Sequence, residues 1–203
     1  MLFRSMIPVS PQPEPEDFDR KVRQKGLRFL KERTDPSGAF SKDMTFPPYW
    51  LDCLDELHTL YGGICAYLAV FVERVTGAVS CDHFVPKSKA PTLAYEWKNY
   101  RLACARMNTR KGARTDILDP FRVQPGWFCL ELVSGRIYPN PNLPPSRRKK
   151  VQTTIERLGL DDTANRNLRA NHYEGYLKGY YTSEHLKRQS PFVYEEARRQ
   201  GLL

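Results

Sequence analysis

The chain has 203 residues, 40% hydrophobic and 27% charged, and its 32 Lys and Arg against 23 Asp and Glu give a formal net charge of +9. That balance excludes a disordered polyelectrolyte and allows a buried core. The positive surplus favours a polyanionic partner, because each Lys or Arg placed on a phosphate releases condensed counterions.

No apolar run approaches the roughly 20 residues that cross a bilayer, and Arg4 and Pro8 break residues 1–10 short of a signal-peptide core. A cytoplasmic protein without membrane association is expected. The cysteines (Cys53, Cys65, Cys81, Cys104 and Cys129) are odd in number and scattered, which fits reduced thiols rather than a disulfide framework.

Residues 1–17 are rich in Pro and Glu and read as an extended strap. Asp17 or Asp19 can cap a first helix running to about Glu32, with Val22, Leu27, Phe29 and Leu30 on its apolar side. A Pro/Ser/Gly loop follows over residues 34–40. Pro47 and Pro48 then sit where a helix start tolerates proline, and Trp50, Leu51, Leu54, Leu57, His58 and Tyr61 recur at helical spacing until Gly62 and Gly63. Residues 64–72, short and apolar between glycines, predict a strand turning into a second over residues 78–85. A loop over residues 87–98 leads to a short strand at 100–103 and a short helix at 105–111 ended by Gly112. Residues 127–133 and 136–138 flank Ser134-Gly135 as a hairpin. The remainder reads as helical. Ser146 opens a helix carrying Val151, Ile155, Leu158 and Leu160; Asp161 or Asp162 caps another with Leu168, His172, Tyr176 and Tyr180; a last helix starts near Pro191.

The residues that carry chemistry fall between Asp82 and Lys111. Phosphodiester hydrolysis needs a base to deprotonate water and a cation to absorb charge on the leaving oxygen. The imidazole of His83 suits the first task, and a carboxylate with a carboxamide oxygen suits the second, since Mg²⁺ takes few protein oxygens and keeps several waters. Adjacent strand residues point to opposite faces, so the strand must bend or end here if Asp82 and His83 are to serve one phosphate.

The run CDHFVPKSKAPTLAYEWKNYRLACARMNTRKG resembles the ββα-metal motif of HNH (His-Me finger) endonucleases: Asp82-His83-Phe84-Val85-Pro86, then Asn99, then Asn108 nine positions later, then Lys111. The resemblance implies an α+β fold with a ββα-metal core embedded in flanking helices. It implies His83 as general base, Asp82 and Asn108 as ligands of one Mg²⁺ or Mn²⁺, and Asn99 as the asparagine that braces the loop and orients the histidine. Lys111 is a candidate phosphate contact, to be weighed against a solvated helix-end cation. Lys87, Lys89, Arg106, Arg110 and Arg114 are further candidates for contact with nucleic acid. Arg147-Arg148-Lys149-Lys150 reads more simply as a solvated run. Residues 1–61 would form an N-terminal segment with helices, 62–139 the nuclease core with its hairpin, and 140–203 a C-terminal helical region. Residues 61–180 more loosely resemble prokaryotic HNH proteins of antiviral defence and retron-type systems, some found beside an ATPase.

DNA is the expected partner, ahead of RNA. Double-strand cleavage would require a homodimer or a second encounter. The alternatives are an effector subunit active only with a partner such as an ATPase, and a non-catalytic DNA-binding module. One departure from the family stands out. Relatives carry two C-x-x-C pairs of a zinc knuckle, but here they read Cys65-Ala-Tyr-Leu68 and Cys104-Ala-Arg-Met107. Two thiolates do not complete a four-ligand site, so a structural zinc is not expected, and an apolar cluster of Cys65, Leu68, Cys104 and Met107 would take its place.

Overall fold

A computed structural model describes residues 9–34, 37, 40 and 44–203; residues 1–8 of the strap and parts of the loop at 34–40 lie outside them. The described strap has no regular structure. It is fastened by the backbone of Gln12, whose N–H donates to Tyr61 Oη at 3.1 Å and whose carbonyl accepts from Trp97 Nε1 at 2.9 Å.

A π-helical turn, Asp19–Arg23, leads into α1 (Gln24–Glu32). Neither Asp17 nor Asp19 caps it with a side chain; both instead pair with basic residues one turn on, Arg20 and Arg23. The buried side also differs from expectation. Leu27 is half exposed, while Val22, Gly26 and Leu30 are buried. Gly26 is needed there, because a Cβ on it would stand 2.1 Å from the Tyr95 ring, far inside van der Waals contact.

A 3₁₀ turn, Tyr49–Cys53, opens α2 (Leu54–Leu60), which leaves Leu51 outward and buries Leu54 and Leu57. The next segment is not the strand its composition predicts. Residues 64–72 fold back on themselves: Ile64 and Phe71 make one isolated bridge, Cys65 N–H donates to Val70 O at 2.9 Å, Ala69 N–H returns to Cys65 O, and Ala69 takes φ +53°. Ala66 N–H docks this loop onto Leu102 O. The apolar run is buried as a knuckle, and β propensity yields to tertiary context.

β1 (Val79–His83) pairs antiparallel with β2 (Tyr100–Cys104), setting Cys81 opposite Leu102, Asp82 opposite Arg101 and His83 opposite Tyr100. α3 (Ala105–Lys111) follows at once and ends at Gly112, φ +47°. β3 (Phe128–Leu130) and β4 (Ile137–Pro139) form the expected hairpin, shortened at its ends.

The C-terminal part is helical: α4 (Pro145–Leu158), α5 (Thr163–Leu177), α6 (Ser183–Gln189) and α7 (Pro191–Arg199). Asp162 caps α5 by accepting from Asn165 N–H at 2.9 Å. The buried face of α5 is Asn165, Arg169 and Tyr173, and Tyr180 lies beyond its end, exposed. α6 was not foreseen as a separate helix, because its short apolar pattern rests on Leu186.

The helices and small two-stranded sheets make an α+β fold. Two apolar clusters meet at the β1–β2 hairpin, where Val79 packs against both. One holds Phe18, Leu57, Trp97, Tyr100 and Leu102. The other holds Cys65, Met107, Phe128, Ile155, Leu158 and Phe192. Among the described residues no helix is long and apolar enough to cross a membrane.

Candidate active site

β1 ends at His83, and the chain then leaves in the loop that returns at Asn99. The loop is tied at its neck. Phe84 N–H donates to Asn99 O at 2.9 Å, Asn99 Oδ1 accepts from Val85 N–H at 2.8 Å, and Asn99 Nδ2 donates to Val85 O and Leu93 O, each at 3.0 Å. A carboxamide is the side chain that can both donate and accept in this way. Asn99 is 4% exposed, and its side chain serves the loop rather than the cleft.

His83 Nε2 lies 2.8 Å from Ala94 O. A carbonyl only accepts, so Nε2 carries the proton and the neutral ring keeps its lone pair on Nδ1. The ring stands edge-on to Tyr100, centroids 4.9 Å apart, and Tyr100 Oη donates to the same Ala94 carbonyl at 3.0 Å. Burial, then the nearby Lys87 charge, pushes the imidazole pKa down to about 4. At neutral pH His83 is an unprotonated base.

Asp82 is 2% exposed. Its Oδ2 accepts from Tyr67 Oη at 2.5 Å and its Oδ1 lies 3.0 Å from Lys111 Nζ. Burial raises the carboxyl pKa, and Lys111 is the largest influence the other way. Lys111 Nζ also donates to His83 O and lies 5.6 Å from the Phe84 ring centroid. With 0% exposure, Lys111 is neither an open phosphate contact nor a solvated helix-end cation. It lies beneath the site as the counter-charge of Asp82.

Asn108, on α3, is half-buried and gives both amide hydrogens away, to Ser80 Oγ at 2.7 Å and Cys81 O at 3.3 Å. That fixes the carboxamide and leaves Oδ1 as its acceptor for another group. Asp82, His83 and Asn108 line one cleft of about 450 Å³, together with Pro86, Lys87 and Trp50. Among the described residues no three of His, Cys, Asp and Glu gather as metal ligands. The donors at the cleft are one carboxylate and one carboxamide.

The basic candidates separate by environment. Lys87 lines the cleft, 5.4 Å from the Phe46 ring centroid. Lys89 and Arg114 are exposed. Arg106 and Arg110 are committed elsewhere: both pair with Asp162, and Arg110 also donates to Leu158 O and Gly159 O, joining α3 to the α4–α5 junction. Asp119 makes a turn, accepting from Phe121 N–H, and forms a two-bond pair with buried Arg101.

Two contributors lay outside the sequence reading. Ser80 is two residues before Asp82 on the same strand, so the period of 2 places it on Asp82's face, a signal that was present. Tyr67 gave none. An aromatic in an apolar run reads as core, and only the folded loop reveals that its hydroxyl meets Asp82.

The halved knuckle positions share one cluster, with Cys65 and Met107 buried and Leu68 and Cys104 packed against it. Cys104 N–H points to Cys65 Sγ at 3.5 Å. Burial pushes the Cys65 thiol up, while the hydrogen bond with Cys65 and backbone N–H groups at the start of α3 hold Cys104 down.

No family model matches this chain, and no curated protein matches it either.

Proposed function

We propose that this protein is a metal-dependent endonuclease of the HNH kind that hydrolyses phosphodiester bonds in DNA. The observation that supports it most is the convergence, on one cleft, of a neutral imidazole with a free Nδ1 lone pair and two oxygen donors from adjoining elements. Asp82 and Asn108 fit Mg²⁺ or Mn²⁺ in type, being hard oxygens and few in number. Their fit is sharpened by Asn108, whose committed amide leaves Oδ1 to accept. The cation would supply charge stabilisation to the phosphate in the transition state.

The chain's own residues do the rest. His83 Nδ1 takes the proton of the attacking water as the new P–O bond forms and the bond to the 3′ oxygen breaks. Ala94 O holds the ring, and Asn99 holds the loop that carries it. Lys111 opposes the upward push that burial gives the Asp82 carboxyl. Lys87 presents an ammonium at the cleft to an incoming phosphate. One such site cuts one strand per encounter.

Supercoiled plasmid incubated with the protein and Mg²⁺ or Mn²⁺ should convert to open-circular and linear forms, and EDTA should stop it. His83→Ala should abolish conversion while DNA affinity stays nearly unchanged. Undiminished cleavage by His83→Ala would remove the reading.

A further inference from the structure

A second depression, about 1020 Å³, lies across the loop from the cleft. His83 and Pro86 line the cleft, whereas Phe84 and Val85 line this groove, so the two share a wall four residues long. The groove's charge is one-sided. Lys98, Arg122, Arg147, Lys149 and Lys150 line it, all exposed. None of the five has a carboxylate partner among the described residues, whereas the groove's two carboxylates are already neutralised, Asp119 by Arg101 and Asp116 by Arg157. The basic run at the start of α4 is thus one bank of a shaped depression, with Lys98 and Arg122 contributed from other elements.

We infer that this groove is the seat of the DNA duplex, which it grips through backbone phosphates beside the candidate active cleft. The inference rests on the nuclease reading for its substrate and on the unpaired cations for its place. Unpaired exposed cations around a concave surface are the arrangement that gains most from counterion release. The groove's aromatics argue for duplex over single strand. Single-strand sites present open rings on which bases stack. Here Trp127 is buried and its ring is covered by the Arg147 guanidinium at 4.0 Å, while Phe84 carries Arg101 at 5.1 Å. The groove therefore offers charge to a backbone, and both of its aromatic rings already carry a guanidinium. It also relocates the contact from Arg106 and Arg110, whose charges are spent within the fold.

The test uses full-length protein carrying His83→Ala, in EDTA, with a short fluorescent duplex followed by anisotropy across a salt series. Adding Arg122→Gln, Lys149→Gln and Lys150→Gln should weaken binding by at least about tenfold and flatten the log–log salt slope by about 2–3, near 0.9 for each lost phosphate contact. The equal-charge control Arg28→Gln, Lys31→Gln, Arg188→Gln should change binding less than about twofold. Thermal melting checks that both variants are folded. Unchanged affinity and slope in the groove variant, no duplex binding by the parent, or displacement of duplex by single-stranded DNA or polyglutamate at equal charge would each overturn the inference. Groove-dependent binding without plasmid cleavage by the unsubstituted protein would sink the nuclease reading alone. Plasmid cleavage with unchanged kcat/KM when the three groove substitutions are made in protein that keeps His83 would sink the groove alone.

Discussion

Lys111 Nζ stands 3.0 Å from Asp82 Oδ1 with both side chains almost wholly out of water. Such a pair adds little net stability, since desolvation offsets attraction, yet removing one partner strands the other. Lys111→Met should therefore destabilise the protein by about 3–5 kcal/mol in urea unfolding. Adding Asp82→Asn should recover much of that loss. A double variant no more stable than Lys111→Met would refute the pairing as the reason.

Asn99 acts on the histidine through the loop. Asn99→Ala leaves Val85 N–H and two carbonyls without their partner, at a cost of about 1–3 kcal/mol. Cleavage should fall more in kcat than in KM, because the imidazole is misplaced while the basic side chains of the groove stay in place. Asn99→Asp keeps the acceptor and loses the donors, so it should fall between. A rise in KM with kcat unchanged would assign Asn99 to binding instead.

The cleft carries Asp82 against Lys111 and Lys87, so its charge is positive before any cation arrives. A divalent ion should bind weakly to the free protein and more tightly once a phosphate is present. Titration of Mn²⁺ by paramagnetic resonance, with and without a non-cleavable duplex, measures this. Equal affinity in both would show that the site is preformed and already neutral.

Two histidines are held neutral by burial, His83 at about 4 and His172 below its ordinary value. The unfolded chain binds protons at both near 6.5 while the folded chain does not, so stability rises with pH in this window. Their contribution is complete above about 6.5 and is lost as the pH falls toward the folded values. Unfolding free energy should drop from pH 7.5 to 5.5, by on the order of 1 kcal/mol for His83 alone. His172→Gln should reduce the slope without abolishing it. A flat profile would contradict both assignments.

The knuckle positions invite the reverse experiment. Protein purified without added zinc should hold none tightly. Leu68→Cys with Met107→Cys restores four thiolates around a loop and helix start already folded together, and should gain about one zinc per chain by elemental analysis. Tight zinc in the unsubstituted protein would defeat the apolar replacement.

The hairpin and helix that form the cleft were legible because their signals are local: turn residues before β1, a nine-residue asparagine spacing, and Gly112 at the end of α3. The fold of residues 64–72 was not, because composition reports how apolar a segment is and not whether its hydrogen bonds close within it. Lys111 shows a similar limit. Its spacing from Asn108 gives the helix face, but only the packing of β1 beneath α3 decides that the ammonium is sealed in. Periodicity predicts Leu27 inward, whereas α1 buries Gly26 against Tyr95 and Leu27 is half exposed.

That fit of Gly26 against Tyr95 reaches further than the packing of α1. Tyr95 follows Ala94, whose carbonyl holds the His83 imidazole and the Tyr100 hydroxyl together. The N-terminal helix thus works as a stop for the rod on which the imidazole is mounted. Thickening the stop by a single methyl group would shift the rod, so a buried glycine of α1 sets where the His83 imidazole sits.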